Sequence, residues 1–188
     1  MSSRASILVL AFLAGACRQD MHDQPKLEPL EASVFFADGR ASRPQVAGTV
    51  ARGELRLDDH LYRGLVDGEP AETFPFAIDE SRLLRGRERF DVFCSSCHGK
   101  IGNGEGIVVK RGLKQPPSYH IDRLRDAPPG YFFDVITNGF GAMYDLADRI
   151  TPEDRWAIVA YVRALQLSQN ATILDVPLEK RAILEGRR

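Results

Sequence analysis

Three stretches of the chain carry a helical rhythm of apolar positions. Leu83, Gly86, Phe90, Phe93/Cys94 and Cys97 recur at three- and four-residue steps, one stripe of an amphipathic helix starting near Ser81. Gly86 stands one turn before Phe90 on that stripe, where the missing side chain lets another helix approach backbone to backbone. The expected partner is the last helix. Thr151 suits its N-cap, Pro152 its first helical position, and Glu153 and Asp154 the positive end of its dipole. From Trp156 to Leu167 only Arg163 and Gln166 are polar, and with Arg155 they share one narrow face at about 100° per residue. That helix is expected to be mostly buried. A third helix is predicted from Pro129 through Tyr131, Phe132, Val135 and Ile136 to Asn138, with Gly139 as its stop.

Residues 17–80 show no repeat and no helical periodicity, and Gly and Pro are frequent. A pure tether would be polar, yet Val34-Phe35-Phe36, Val46, Val50, Leu55, Leu57, Leu61-Tyr62 and Leu65-Val66 offer too much apolar surface to leave in water. The expectation is a strap lying on partner subunits and ordered by them. At the start of the chain an apolar run, Ile7 to Ala16, follows Arg4. It is shorter than the roughly 20 residues needed to span a bilayer and has the form of a secretory signal. The predicted organisation is a signal peptide over 1–16, the strap over 17–80, a helical domain over 81–168 and a tail over 169–188.

Composition excludes several classes. With 188 residues, 44% hydrophobic and 27% charged, the chain is neither wholly disordered nor a polytopic membrane protein. Its 25 Lys+Arg against 26 Asp+Glu leave no basic excess for a phosphate backbone, so nucleic acid is not an expected partner.

The cysteines carry the chemistry. Three is an odd number for an exported chain. Leu13-Ala14-Gly15-Ala16-Cys17 resembles the lipobox of bacterial lipoproteins, which implies a lipidated Cys17 as first mature residue. The other two lie in Cys94-Ser95-Ser96-Cys97-His98, the signature of covalent c-type haem attachment. Thiols three residues apart lie near one face of a helical turn, where they can add to the two vinyl groups of one porphyrin, and His98 is carried under the iron as proximal ligand. A zinc ribbon would need a second Cys/His pair, whereas His22, His60 and His120 are isolated. A thioredoxin-like pair would need a strand before the motif and a helix after it; here a helical pattern precedes, and Gly99, Gly102, Gly104 and Gly106 follow as a loop.

The succession of a first helix ending in the motif, a middle helix, a methionine loop and an aromatic last helix resembles a class I cytochrome c domain over Ser81 to Ser168. That resemblance implies an all-α fold around one covalent haem c, with a methionine completing the iron's coordination from the far side. Met143, in Asn138-Gly139-Phe140-Gly141-Ala142-Met143-Tyr144, is the expected ligand; Met1 is lost on maturation and Met21 lies beside the anchor. His120 is its rival. Pro116 or Pro117 stands where the resembling family supplies a carbonyl to the second ring nitrogen of the proximal histidine. Tyr119, Trp156 and Tyr161 are read as haem-edge neighbours or core packing. His/Met ligation leaves the iron no open position, so the expected activity is one-electron transfer rather than catalysis.

A narrower resemblance rests on Met21-His22-Asp23-Gln24-Pro25, Phe35-Phe36-Ala37-Asp38-Gly39-Arg40, Arg43-Pro44 and Gly48-Thr49-Val50-Ala51-Arg52-Gly53. It extends to Pro116-Pro117-Ser118-Tyr119-His120 and Thr137-Asn138-Gly139-Phe140-Gly141-Ala142-Met143. These segments are similar to the monohaem cytochrome c subunit of bacterial alternative complex III. The resemblance implies a subunit of a membrane quinol-oxidising complex, lipid-anchored at the periplasmic face of the cytoplasmic membrane. It would receive electrons from a multihaem subunit and pass them to a soluble cytochrome or a terminal oxidase. The alternatives are a free-standing lipoprotein electron shuttle, and a haem-based peroxidase or gas sensor.

Overall fold

The computed structural model describes residues 24–186, which fall into two units, one ending at Glu54 and the other beginning at Leu55. The predicted signal peptide, Cys17, Met21 and His22 lie outside the described residues.

The first unit is irregular, with one closed loop. Ala32 and Arg40 form an antiparallel bridge, Ser33 donates its N–H to the Gly39 carbonyl at 3.0 Å, and Ala41 donates to Glu31 at 3.0 Å. Inside that loop Phe35 and Phe36 meet edge to face, and the Arg43 guanidinium covers Phe36 while pairing with Asp38 at 2.7 Å. Leu30, Val34 and Phe35 are exposed.

The second unit is helical. A short helix, α1 (Asp59–Arg63), is capped by the Asp58 carboxylate and ended by Gly64 in the left-handed conformation. A two-residue hairpin follows, pairing β1 (Leu65–Val66) with β2 (Glu69–Pro70) through Asp67-Gly68, both at positive φ as a type I′ turn requires. Residues 55–80, placed in the strap from sequence, therefore sit in this unit. The reason is burial: Ala71 is fully enclosed, and Leu61, Phe74 and Phe76 pack on the core. Five residues of α1 are too few to register as a helical period.

Helix α2 (Glu80–Phe93) begins one residue before Ser81 because Asp79 caps it, its carboxylate accepting from the Arg82 N–H at 2.8 Å. A single turn, α3 (Ser95–His98), continues from it. The short α4 (Asp122–Arg125) and the middle helix α5 (Pro129–Asn138) follow, the latter with the bounds its sequence dictates. The last long helix, α6 (Pro152–Asn170), starts as expected with Thr151 accepting from the Asp154 N–H. Beyond it a further helix, α7 (Leu178–Glu185), lies in the segment expected from sequence as a tail.

The core forms where α2 and α5 pack on α6, around Phe90, Phe133, Trp156, Ile158 and Val159. Gly86 is the crossing point of α2 and α6: a Cβ there would lie 2.0 Å from the Ala157 carbonyl oxygen. Trp156 is fully buried, stacks on Phe133 at 4.7 Å, and donates its indole N–H to the Leu61 carbonyl at 3.0 Å. It is a core residue. Among the described residues no helix is long and apolar enough to cross a membrane.

Candidate functional site

The Cys-x-x-Cys-His segment forms one helical turn at the end of α2. Cys94 closes α2 and opens α3, and its carbonyl accepts from the N–H groups of Cys97 at 3.1 Å and His98 at 2.9 Å. Both thiols are free. Cys94 is buried, and its thiol pKa is pushed up to about 12, chiefly by desolvation and then by Cys97 beside it. A thioredoxin-like nucleophile needs the opposite shift. Desolvation pushes the His98 pKa down to about 4, so its imidazole is neutral at pH 7, the form that ligates metal.

The glycine-rich loop wraps this turn so closely that side chains do not fit. Gly104 donates its N–H to the His98 carbonyl at 2.8 Å and Gly106 donates to that of Cys97 at 3.1 Å. A Cβ on Gly106 would lie 2.1 Å from the Ser96 oxygen, and one on Gly104 2.3 Å from the Pro116 oxygen. Of the two candidate prolines, Pro116 thus has its carbonyl against the loop and is half-buried, whereas Pro117 is exposed. The Nδ1 atom of His98 is buried without a hydrogen-bond partner, so neither proline carbonyl accepts from it in this structure.

Tyr119 supports the histidine instead. Its ring lies parallel to the His98 imidazole, with centroids 4.7 Å apart and planes 12° apart. Its N–H donates to Gly102 at 2.8 Å, and its carbonyl accepts from the Gln166 side chain at 2.9 Å. Gln166 also donates to Leu124 at 3.2 Å and accepts from Arg163 at 2.8 Å. Arg155, Arg163 and Gln166 are thus turned inward, where they bond the carbonyls of Ile150, of Arg125 and Ala127, and of Tyr119 and Leu124. The sequence signal was present, since a narrow polar stripe on a buried helix needs partners. Which carbonyls they meet depends on loop paths that no period encodes.

His120 bonds through Nε2 to the Ile101 carbonyl at 2.7 Å, and His60 to that of Thr73 at 2.8 Å. Tyr161 packs edge to face on Phe90. Among the described residues no three His, Cys, Asp or Glu side chains gather into a metal cluster.

Met143 comes from the loop between α5 and α6. Phe140 and Met143 exchange N–H···O bonds, each 3.0 Å, across Gly141-Ala142, and Met143 is half-buried. Gly139, at φ 79°, lies under the turn; a Cβ there would be 2.6 Å from the Met143 oxygen. The structure therefore gathers Cys94, Cys97 and His98 on one turn, stacks Tyr119 on it from the segment beyond the glycine loop, and supplies Met143 from a separate, braced loop.

Residues 81–162 match the family described as cytochrome c oxidase, cbb3-type, subunit III. No curated protein matches the chain. Among solved structures, a chain of the Kuenenia stuttgartiensis reducing HAO-like protein complex is similar at 22% identity with a TM-score of 0.44; the match covers 52% of this chain and 51% of that one, about half its length. That match supports a class I type cytochrome c domain over these residues, and a cytochrome c domain implies covalently bound haem c. The residues present fit that group: two free thiols and a neutral imidazole on one turn, in a cradle where a Cβ would collide.

Proposed function

We propose that this chain is a lipid-anchored monohaem electron carrier, a subunit of a quinol-oxidising respiratory complex of the alternative complex III kind. A cytochrome c domain suggests electron transfer in the first place. The observation that carries the reading is the motif turn, which holds two free thiols beside a half-buried neutral imidazole.

Cys94 and Cys97 would hold haem c through two thioethers, His98 would ligate the iron, and Met143 would complete its coordination. Haem c ligated by histidine and methionine supplies a one-electron couple with no vacant position for a substrate. The chain's own task is then to keep those ligands in place and exclude water. Tyr119 fixes the plane of His98, and the Gly99–Gly106 loop closes over the motif.

The wider assignment rests on the resemblance of the first unit to the strap of that subunit, and is supported by the exposed Leu30, Val34 and Phe35. In this reading Cys17 carries the lipid at the periplasmic face of the cytoplasmic membrane, a multihaem subunit donates electrons, and a soluble cytochrome or terminal oxidase accepts them.

The test is spectroscopic. The oxidised protein should show the weak far-red sulfur-to-iron band, and Met143→Ala should abolish it. A band that survives the substitution overturns the ligand assignment. Purification from detergent-treated membranes should bring further subunits with the chain; a chain that emerges alone favours a free-standing shuttle, and strong carbon monoxide binding by the reduced protein favours a sensor or peroxidase.

A further inference from the structure

We propose that Arg155 is the positioning residue of the axial methionine, a clamp that fastens both ends of the loop bearing Met143 to the start of α6. This rests on Met143 being an iron ligand.

Arg155 is 3% exposed, on a side chain type that is almost never buried without a reason. None of the ion pairs among the described residues involves it. Its hydrogen bonds go to two neutral groups that flank one loop. Nη1 donates to the Thr137 hydroxyl at 2.5 Å, at the end of α5, and Nε donates to the Ile150 carbonyl at 3.1 Å, just before α6. Thr137 in turn donates to the Phe133 carbonyl at 2.7 Å, and the guanidinium lies 5.0 Å over the Phe133 ring. The loop's other backbone ties are the Phe140–Met143 pair, Leu146 N–H to the Ile136 carbonyl of α5 at 3.0 Å, and the Arg149 and Ile150 N–H groups to the Leu146 carbonyl, each 3.1 Å; none of them spans from α5 to Ile150. The planar fork of one arginine therefore sets the separation of the two points from which the Met143 loop hangs. Lysine, a point charge without that rigid fork, does not fix the two acceptors at a set separation.

The clamp predicts a separation of two events. A merely structural arginine would lower the stability of the whole domain, whereas a clamp lets the methionine leave while the helices and the covalent haem stay. The experiment uses the full-length holoprotein in four forms: unmodified, Arg155→Lys, Arg155→Gln and Thr137→Val. Each is heated while the far-red band and the helical circular dichroism are followed together, and each reduced protein is mixed with carbon monoxide. Backbone hydrogen exchange of residues 140–146 is measured on the same samples. In Arg155→Gln and Thr137→Val the band should vanish well before the helices melt, carbon monoxide binding should rise by about tenfold, the effect of one charge-assisted hydrogen bond, and exchange in the loop should quicken. Arg155→Lys should fall between these and the unmodified protein. Thr137→Val removes one anchor without emptying the core, so it decides the matter if Arg155→Gln does not fold. Band and helices lost together in both Thr137→Val and Arg155→Lys, with carbon monoxide binding unchanged, would overturn the clamp. Met143→Ala separates the two ideas: if it keeps the band, the ligand assignment and the clamp fall together, and if it loses the band while the other variants behave as unmodified, only the clamp falls.

Discussion

The ring of Tyr119 lies against the imidazole of His98, 4.7 Å away and within 12° of parallel. A flat neighbour of this kind fixes the plane of the histidine while leaving both ring nitrogens free. Tyr119→Ala should cost up to about 3 kcal/mol in chemical denaturation, the low end for large-to-small changes of aromatics, since the ring is partly buried. It should also shift the reduction potential. Tyr119→Phe keeps the stack and should stay within about 1.5 kcal/mol with the potential unchanged.

Gln166 holds Tyr119 from behind. Gln166→Leu preserves the volume but strands the carbonyls of Tyr119 and Leu124, which its amide now serves. Two stranded buried acceptors predict a loss of about 1–3 kcal/mol or more, read from the denaturant midpoint at constant slope.

Gly86→Ala tests the helix crossing. The added methyl would lie 2.0 Å from backbone at Ala157, which a rotamer change cannot relieve, so α2 and α6 must separate. A destabilisation of about 1–3 kcal/mol or more is expected, with a matching drop in melting temperature.

Gly139→Ala should act on the methionine rather than on the fold. The residue is at φ 79°, and its new Cβ would press on the Met143 carbonyl. The expected outcome is a holoprotein with both thioethers intact, shown by haem staining after denaturing electrophoresis, but with a weakened far-red band.

Asp79 gives the acid limb. The Arg82 N–H, then the Ser81 hydroxyl, hold its carboxylate below the usual range, so the folded state releases this proton more readily than the unfolded chain. Its contribution is complete above the unfolded carboxylate value near ~3.9 and disappears as pH falls through the lower folded value. Asp79→Asn, which can still cap the helix but carries no charge, should flatten that part of the stability profile by lowering the neutral-pH value toward the acid one, with little change below the folded pKa.

The parts of this molecule that follow from local chemistry were legible in the residues. Pro129–Asn138 has a proline at its start and a glycine after its end, Thr151-Pro152-Glu153-Asp154 carries a complete helix start, and Gly86 announced a close crossing. The Cys94–His98 turn and its glycine loop were equally readable. What depends on distant partners was not. The inward turn of Arg155, Arg163 and Gln166 requires knowing which loops leave carbonyls unpaired, and the stacking of Tyr119 on His98 joins residues on either side of the glycine loop. The segment 55–80 escaped for a related reason: Leu61, Ala71 and Phe74 are buried by residues far along the chain, and their spacing follows the path of the backbone rather than a period.

That segment bears on how the domain can be moved or borrowed. Gly130 and Ala71 meet backbone to backbone, Gly130 donating its N–H to Ala71 at 2.9 Å, and Trp156 answers to Leu61. A protein engineer who cut at residue 81, where the family match begins, would excise a haem module with one wall missing: the indole would lose its acceptor and a seam of aromatic rings would open to solvent. The natural unit of transplantation, and of any recombination between related genes, begins at about residue 55.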